Sequence, residues 1–423
     1  MGSIEVAHEV KDLSLAPAGV QRIASADREM PVLRRLREEF ARSLPLQGIR
    51  IGACLPVTAE TAALMRTLKA GGADIVLCAA NPQATQDDVA AALVAEHGIS
   101  VFAVKDESED AYFRHVMAVA DHRPQLTMDD GADVIGVIHA SRRELIDSVI
   151  AGTEQTTAGV IRLRSMEDDG VLGFPVIAVS EAQTRQLFDN RYGTGQATLE
   201  GILRATGVLL AGATFVIAGY GWCGRGLAER ARGMGARVIV LEVDPLRALQ
   251  AVMDGFRVMT ADEAASEGTI FCTATSSKHV LRGEHFDAMR DGAIIANVGY
   301  FNLELDLPAL RERAVRTSEP RSLVECFELA DGRVITLLAG GQTIGLAAGE
   351  GLPAAVADVC LASQALVAAY AVRNAASLEN RVYGVPRELD AELARLKLAT
   401  LGVAIDVLST EQERYRASWS ETT

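Results

Sequence analysis

A short apolar segment followed at once by a glycine-rich turn limits the fold of this chain more than any other feature of its sequence. Residues 213–218 (ATFVIA) are apolar and partly β-branched, and Gly219, Gly221 and Gly224 follow with the spacing G-x-G-x-x-G. The turn leads into a helical pattern that ends near Gly233. A strand, a tight glycine turn and a helix in this order predict a Rossmann-type nucleotide-binding unit.

The residues around this turn indicate which nucleotide is bound. The first glycine permits the tight turn, the second lets the backbone approach a pyrophosphate, and the third lets the helix pack on the strand. Glu242 ends the next strand pattern, where a carboxylate accepts the ribose hydroxyls and repels a 2′-phosphate, which favours NAD over NADP. Arg247 lies nearby and could tolerate a 2′-phosphate. Cys223, inside the loop, is expected to be a small packing residue beside the cofactor.

Strand and helix patterns alternate on both sides of this unit. From residue 48 onward, apolar runs such as 49–55 and 73–78 alternate with helical patterns, which is typical of parallel sheets with crossover helices. The predicted fold class is α/β with two doubly wound domains, a Rossmann NAD-binding domain and an open α/β substrate domain, plus a short helical C-terminal segment. The predicted boundaries are 1–193 with 352–385 for the substrate domain, 194–351 for the NAD-binding domain and 386–423 for the C-terminal segment.

Composition excludes several classes of partner. The chain has 41 Lys and Arg against 56 Asp and Glu, a formal charge of −15, and no basic run that could neutralise a phosphate backbone. We therefore expect a small-molecule substrate and neither nucleic acid nor membrane. The six cysteines lack C-x-x-C spacing and the seven histidines lack helical ligand spacing, so no metal is expected. No export leader is visible, and we expect a cytoplasmic protein.

From Ile51 to about Pro353 the chain resembles the S-adenosylhomocysteine hydrolase (adenosylhomocysteinase) family. The segment FDNRYG at 188–193, some 26 residues before the glycine turn, is the most specific match. The other matching segments are 58–61 (TAET), Asn81 with 84–87 (ATQD), 129–131 (DDG), 154–157 (EQTT), 218–221 (AGYG), 242–245 (EVDP) and 297–299 (NVG).

The resemblance implies that NAD oxidises the 3′-hydroxyl of an adenine nucleoside, after which the 4′ proton and the 5′ substituent are lost. It implies that Thr58 and Glu60 contact adenine, that Asp130 lies near the 5′ position, and that Asp189 and Asn190 face the ribose. The cofactor-binding residues that we expect, with Asn190 and the glycine turn, are Thr156, Thr157, Gly219, Gly221, Cys223, Gly224, Glu242, Arg247, Thr275, Asn297, Val298 and Gly299.

Several positions depart from the family pattern. Gln155 and Leu352, both expected to contact substrate, stand where the family has glutamate and histidine. Arg185 replaces a lysine and Tyr300 a histidine; both join Asp130, Asp189 and Asn190 as candidate catalytic residues. Arginine is a poor base because its pKa exceeds 12, so Arg185 could only orient or polarise an oxygen. Three further departures from the family pattern are Pro56 for histidine, Thr194 for cysteine and Gly345 for asparagine.

These departures lead to four hypotheses. The first is a nucleoside dehydratase or lyase of specialised nucleoside (antibiotic) biosynthesis, which keeps 3′-oxidation and 4′,5′-elimination but expels a 5′-hydroxyl. The second is a true adenosylhomocysteinase that forms adenosine and homocysteine. The third is epimerisation or simple oxidation of a nucleoside, and the fourth is a non-catalytic regulatory paralogue that binds NAD. The resemblance also implies a homo-oligomer, either a tetramer or a dimer.

Overall fold

Two eight-stranded sheets organise residues 6–299 and 302–419, the part of the chain that this computed structural model describes. All strand pairs of the first sheet are parallel, in the order β1-β4-β3-β2-β5-β6-β7-β16. Its strands are β1 (Glu9–Val10), β2 (Arg50–Leu55), β3 (Asp74–Ala79), β4 (Ser100–Ala103), β5 (Leu126–Asp129), β6 (Ala151–Glu154), β7 (Val176–Ala178) and β16 (Val382–Gly384).

The second sheet has the strand order β10-β9-β8-β11-β12-β15-β14-β13. Its first six strands are parallel in the order typical of a Rossmann fold, and β14 and β13 extend one edge in antiparallel orientation. Its strands are β8 (Thr214–Ala218), β9 (Arg237–Leu241), β10 (Arg257–Val258), β11 (Ile270–Thr273), β12 (Ala293–Asn297), β13 (Ala314–Arg321), β14 (Val324–Leu329) and β15 (Val334–Leu338).

Helices cover both faces of the sheets and form the connections between parallel strands. In the first half they are α1 (Ala16–Arg28), α2 (Pro31–Ser43), α3 (Ala59–Ala70), α4 (Asp87–Ala95), α5 (Glu109–Asp121), α6 (Asp133–Ser141), α7 (Thr157–Asp168), α8 (Gln183–Arg185) and α9 (Gly195–Thr206). A π-helical segment, Gln186–Thr194, joins α8 to α9. The others are α10 (Trp222–Gly233), α11 (Pro245–Met253), α12 (Ala261–Ala265), α13 (Gly283–Ala288), α14 (Leu307–Arg313), α15 (Ile344–Ala347), α16 (Ala354–Asn374), α17 (Arg387–Thr400) and α18 (Thr410–Ala417).

The predicted fold class is confirmed, and the strand and helix patterns agree with the structure to within a few residues. The predicted C-terminal segment, 386–423, contains two helices, which end at Thr400 and Ala417. The antiparallel pair β13 and β14 and the π-helical segment were not predicted. The strands at 9–178 and 382–384 build one sheet and those at 214–338 the other, while the exact domain boundaries given above stay a prediction.

Helix α16 packs against α2 and α3, and its buried side chains form part of the hydrophobic core around the first sheet. Among the described residues, 354–377 is the one helical stretch long and apolar enough to cross a membrane, yet 72% of its most apolar window is buried inside the protein. Buried Asp358 accepts hydrogen bonds from the amides of Val32 and Leu33 at the start of α2. It also pairs with Lys397 of α17 at 2.9 Å, which ties three helices together. The burial is that of a core helix, and the cytoplasmic location stays a prediction.

The strand orders decide where a ligand can bind. In the first sheet the order reverses between β2 and β5, and in the second between β8 and β11. A parallel sheet leaves a crevice at such a reversal, outside the carboxyl ends of its strands. Pro56 and Asp130 follow β2 and β5, whereas Gly219 and Ala274 follow β8 and β11. Both sheets therefore place the predicted site residues at their crevices.

Candidate active site

One cavity collects side chains from the crevices of both sheets. Thirteen of the predicted site residues line it, from both domains and from the π-helical segment. They are Thr58, Glu60, Asp130, Gln155, Thr156, Thr157, Arg185, Asp189, Asn190, Cys223, Val298, Gly299 and Leu352. Seven others, Gly219, Gly221, Gly224, Glu242, Arg247, Thr275 and Asn297, do not line it; they form or support the second sheet's crevice. The candidate catalytic residue Tyr300 lies outside the described residues.

The glycine turn has the geometry that a dinucleotide requires. Gly219 adopts φ +97°, and a Cβ atom on Gly224 would lie 1.9 Å from the carbonyl oxygen of Gly219, so the helix can pack only on glycine. A Cβ atom on Gly221 would meet nothing closer than 3.9 Å, which leaves open space above the turn. Helix α10 begins there without a side-chain cap, so its first amides remain available for phosphate oxygens.

Glu242 lies at the end of β9 beside this turn. Its carboxylate accepts hydrogen bonds from the backbone amides of Tyr220, Val243 and Asp244 at 2.7 to 3.0 Å. These contacts hold the negative charge where the adenosine ribose of a dinucleotide would lie. Arg247 is exposed and lies 3.7 Å from the carboxylate of Asp244, so a part of its charge is already offset.

Glu304 is a buried carboxylate that the sequence analysis did not identify. It holds the loop after β11, on the other side of the cofactor crevice from Glu242. Glu304, 1% exposed, accepts hydrogen bonds from the Thr275 amide and hydroxyl and from the Ser276 amide. Asn297 is fully buried, donates to the carbonyl oxygens of Gly299 and Gly341, and accepts from the Gly299 amide. Thr275 and Asn297 therefore hold the loops on this side of the crevice in place.

Arg185 forms the positively charged centre of the cavity. Its guanidinium lies 3.2 Å from the carboxylate of Asp189, donates to Gln155 Oε1 at 3.0 Å, and contacts Cys360 Sγ. Burial lowers the pKa of Arg185, but the nearby carboxylates outweigh it and raise that pKa, so the group stays charged. The pair with Asp189 is an i,i+4 contact along one helical turn. The contact with Cys360, 175 residues away, was not predicted from the sequence.

Two adjacent aspartates at the end of β5 have different surroundings. Asp129 accepts hydrogen bonds from the Val134 and Ile135 amides and thereby caps α6. Asp130 lines the cavity, and burial together with the negative charge of Asp189 raises its pKa to about 7, although Arg185 opposes the shift. A carboxyl group that titrates near neutral pH can both accept and return a proton.

Thr58, Glu60 and Leu352 line another part of the cavity, which includes an apolar side chain. Thr58 caps α3 by accepting the Thr61 amide at 3.4 Å, and burial raises the pKa of Glu60 in the first turn of that helix. Leu352 packs directly on Gly193, where a Cβ atom would lie 2.7 Å from its side chain. A Cβ atom on Gly345 would lie 3.0 Å from the backbone of Ala197, so this glycine permits close packing of α15 on α9.

Three further predicted residues, Thr156, Thr157 and Cys223, also line the cavity. The Thr156 hydroxyl caps α7 by accepting the Gly159 amide and donates its proton to Glu154, so only one acceptor lone pair remains for a ligand. Thr157 begins that helix. Burial and the negative charge of Asp189 raise the pKa of Cys223 to about 12, which agrees with a packing role and not with a reactive thiolate.

Comparisons with known proteins agree with this geometry. The family description "S-adenosyl-L-homocysteine hydrolase" matches residues 7–152, and its "NAD binding domain" matches residues 190–351. The chain belongs to the S-adenosyl-L-homocysteine hydrolase family. It is 56% identical to an adenosylhomocysteinase of Aquifex aeolicus, over 97% of this chain and 98% of that protein. The corresponding protein of Gloeothece citriformis is 53% identical, over 99% and 98% of the two chains.

Membership of the S-adenosyl-L-homocysteine hydrolase family confirms the predicted family and the predicted cofactor. The chain is an enzyme of this family, and NAD is its cofactor. The open space above Gly221, the uncapped start of α10 and the carboxylate of Glu242 fit that dinucleotide. The roles of individual site residues stay predictions. Sequence reasoning missed Cys360, which lines the cavity, and Glu154 and Glu304, which lie behind the lining and hold its loops.

Proposed function

We propose that this enzyme hydrolyses S-adenosylhomocysteine to adenosine and homocysteine. The observation that supports this most is the identity of 50–56% with proteins named adenosylhomocysteinase, over nearly the whole length of each. The sequence alone had favoured a dehydratase and placed this reaction second. The names of the relatives favour the hydrolase, and the retained carboxyl groups and NAD crevice are what its chemistry needs.

In this proposal the chain's own residues orient the sugar and move protons. Bound NAD+ supplies the acceptor for the hydride of the nucleoside 3′ carbon and later returns it. Arg185, permanently charged and held by Asp189, polarises the 3′ oxygen, and Asp189 accepts the proton of the 3′ hydroxyl. Asp130 removes the 4′ proton, which the adjacent ketone has made acidic. Homocysteine then leaves the 5′ carbon, water adds there, and Asp130 returns the proton to the 4′ carbon. Asn190 holds the ribose next to Asp189.

The purine base occupies the end of the cavity formed by Thr58, Glu60 and Leu352. Leu352 contributes an apolar surface, and the half-buried carboxyl of Glu60 offers a hydrogen-bonding group to the exocyclic amine or ring nitrogens of adenine.

A second candidate is the dehydratase or lyase, in which a 5′-hydroxyl is expelled to form a 4′,5′-unsaturated nucleoside. The supporting observation is the lining itself, which contains Pro56 and Leu352 and, among the described residues, no histidine. A leaving group at the 5′ position therefore meets proline and leucine where the family pattern has histidine.

One product screen separates these functions. The protein is incubated with NAD+ and, in turn, with S-adenosylhomocysteine, adenosine and ketose adenine nucleosides, and the products are identified by mass spectrometry. Release of adenosine and homocysteine supports the hydrolase. A product lighter by one water from a 5′-hydroxyl nucleoside supports the dehydratase. Bound NAD without turnover of any substrate would contradict both and favour a regulatory paralogue.

We also propose that the active form is a homo-oligomer, either a dimer or a tetramer. Apolar side chains on and beside α11 are exposed, among them Val243, Leu246 and Met253. The extended segment after α17 exposes Ile405 and Val407. Burial of such side chains between copies of the chain stabilises an oligomer. Light scattering of the NAD-loaded protein gives the number of copies, and a monomer would contradict the proposal.

A further inference from the structure

Glu154 is a completely buried carboxyl group next to the catalytic aspartate, and no step assigned above uses it. It ends β6, in register with Asp129 at the end of β5. Its Oε1 atom accepts three hydrogen bonds, from the Gly131 amide at 3.0 Å and from the Thr156 amide and hydroxyl, both at 2.7 Å. Its Oε2 atom is also buried, and no described residue forms a hydrogen bond to it.

This arrangement fits a neutral carboxylic acid. A negative charge is disfavoured here because the buried Oε2 atom receives no donor, and the hydrogen bonds from Thr156 to Oε1, which favour the ionised form, offset this only in part. Burial and the negative charges of Asp129 and Asp130 raise the pKa of Glu154 well above its usual value. The first turn of α7 closes over the group, because a Cβ atom on Gly159 would lie 2.3 Å from its carboxyl carbon.

The contacts of Glu154 connect two parts of the active site. Gly131 directly follows Asp130, and Thr156 lies on the cavity wall at the start of α7. The titratable and charged groups that face this connection from the surrounding elements are Asp129, Asp130, Asp133, Arg162 and Arg185. Of these, Arg162 holds the same turn from outside, since it donates to the Gly131 carbonyl oxygen at 2.5 Å.

We propose that Glu154 is a positioning residue: its protonated carboxyl joins the turn after Asp130 to Thr156, and this bridge keeps Asp130 directed into the cavity. The link to the reaction rests on the proposed function, in which Asp130 transfers the proton. Because Glu154 is neutral, glutamine can replace it, whereas a side chain without an oxygen acceptor cannot. The three donors of Gly131 and Thr156 would then be buried without a partner.

The test compares Glu154→Gln, Glu154→Leu and the control Glu144→Gln, which removes an exposed carboxyl on the surface. For each NAD-loaded protein, kcat is measured against pH, and bound NAD is quantified. The infrared difference spectrum between wild type and Glu154→Gln is recorded at pH 7 in the absence of substrate. This spectrum reports the protonated carboxyl independently of any activity.

We expect Glu154→Gln and Glu144→Gln to keep kcat within about threefold and the pH profile unchanged. Glu154→Leu should lose at least about tenfold in kcat and shift the acidic limb of the profile, because Asp130 moves. The band of a protonated carboxyl should be present in wild type and absent from Glu154→Gln. Absence of the band from wild type, or a leucine variant with the normal pH profile, would overturn the proposal.

Two further outcomes are informative. If Glu154→Leu does not fold, the glutamine variant decides, because an ionised Glu154 would make it shift the acidic limb by more than about half a pH unit. If wild type shows the band but turns over no nucleoside, the proposed function fails while the bridge formed by Glu154 stands.

Discussion

Adding one methyl group at two positions of the glycine turn should separate cofactor binding from folding. In Gly221→Ala the new Cβ atom meets nothing closer than 3.9 Å, and the backbone φ of −70° suits alanine. The apo protein should therefore be as stable as wild type, or about 0.4–1 kcal/mol more stable because its unfolded state loses entropy. The methyl group, however, occupies the space that the pyrophosphate needs, so NAD affinity should fall at least about tenfold, or about 1.4 kcal/mol.

Gly224→Ala should have the opposite effect to Gly221→Ala, because it should destabilise the apo protein. Its Cβ atom would lie 1.9 Å from the carbonyl oxygen of Gly219, which is backbone and cannot rotate away. Separation of α10 from the turn should lower the free energy of unfolding by about 1–3 kcal/mol or more even without cofactor. Gly233→Ala, at the end of the same helix with no atom within 4 Å of its Cβ position, serves as the control and should be neutral or stabilising.

The assay is chemical denaturation of each protein with and without saturating NAD+. Wild type and Gly233→Ala should gain stability from NAD+, since a ligand that binds only the folded state stabilises it. Gly221→Ala should show normal apo stability and little gain. If Gly221→Ala gained as much as wild type, the turn would not hold the pyrophosphate and the assignment of the cofactor site would be refuted.

Three other predictions concern charged groups. Folding raises the pKa of Asp130 from 3.8 to about 7 and so disfavours its ionised form, and stability should therefore fall as pH rises from about 4 to 7. In denaturation measurements Asp130→Asn should make this fall smaller without removing it, because burial also raises the pKa values of Asp129 and Glu154. In rate measurements kcat/KM, which reports the free enzyme, should rise with a midpoint near 7, and Asp130→Asn should remove this rise. Arg185→Met removes the cation that lowers the pKa of Asp130, so the midpoint of the rate profile should move to higher pH; an unchanged midpoint would contradict the electrostatic assignment. Lys397→Met leaves Asp358 buried and unpaired and should lower the free energy of unfolding by about 3–5 kcal/mol, whereas a loss below about 1 kcal/mol would show that the pair is dispensable.

Features that depend on neighbouring residues could be predicted from the sequence alone. The turn at Gly219 and Gly224 is specified by a steric requirement within six residues, and Glu242 follows from the strand pattern that it ends. The alternation of strands and helices likewise predicted two parallel sheets, because parallel strands need a connection that crosses the sheet. These local requirements were sufficient to predict NAD binding.

The tertiary structure alone decided which distant groups meet in the cavity and what state they are in. Arg185 contacts Cys360 and Gln155, which are 175 and 30 residues away, and no periodicity relates them. Burial, which raises the pKa of Asp130 and leaves one oxygen of Glu154 without a donor, depends on how the whole sheet and its helices pack. A sequence pattern describes the neighbours of a residue along the chain, whereas the protonation of a carboxyl group depends on its neighbours in space.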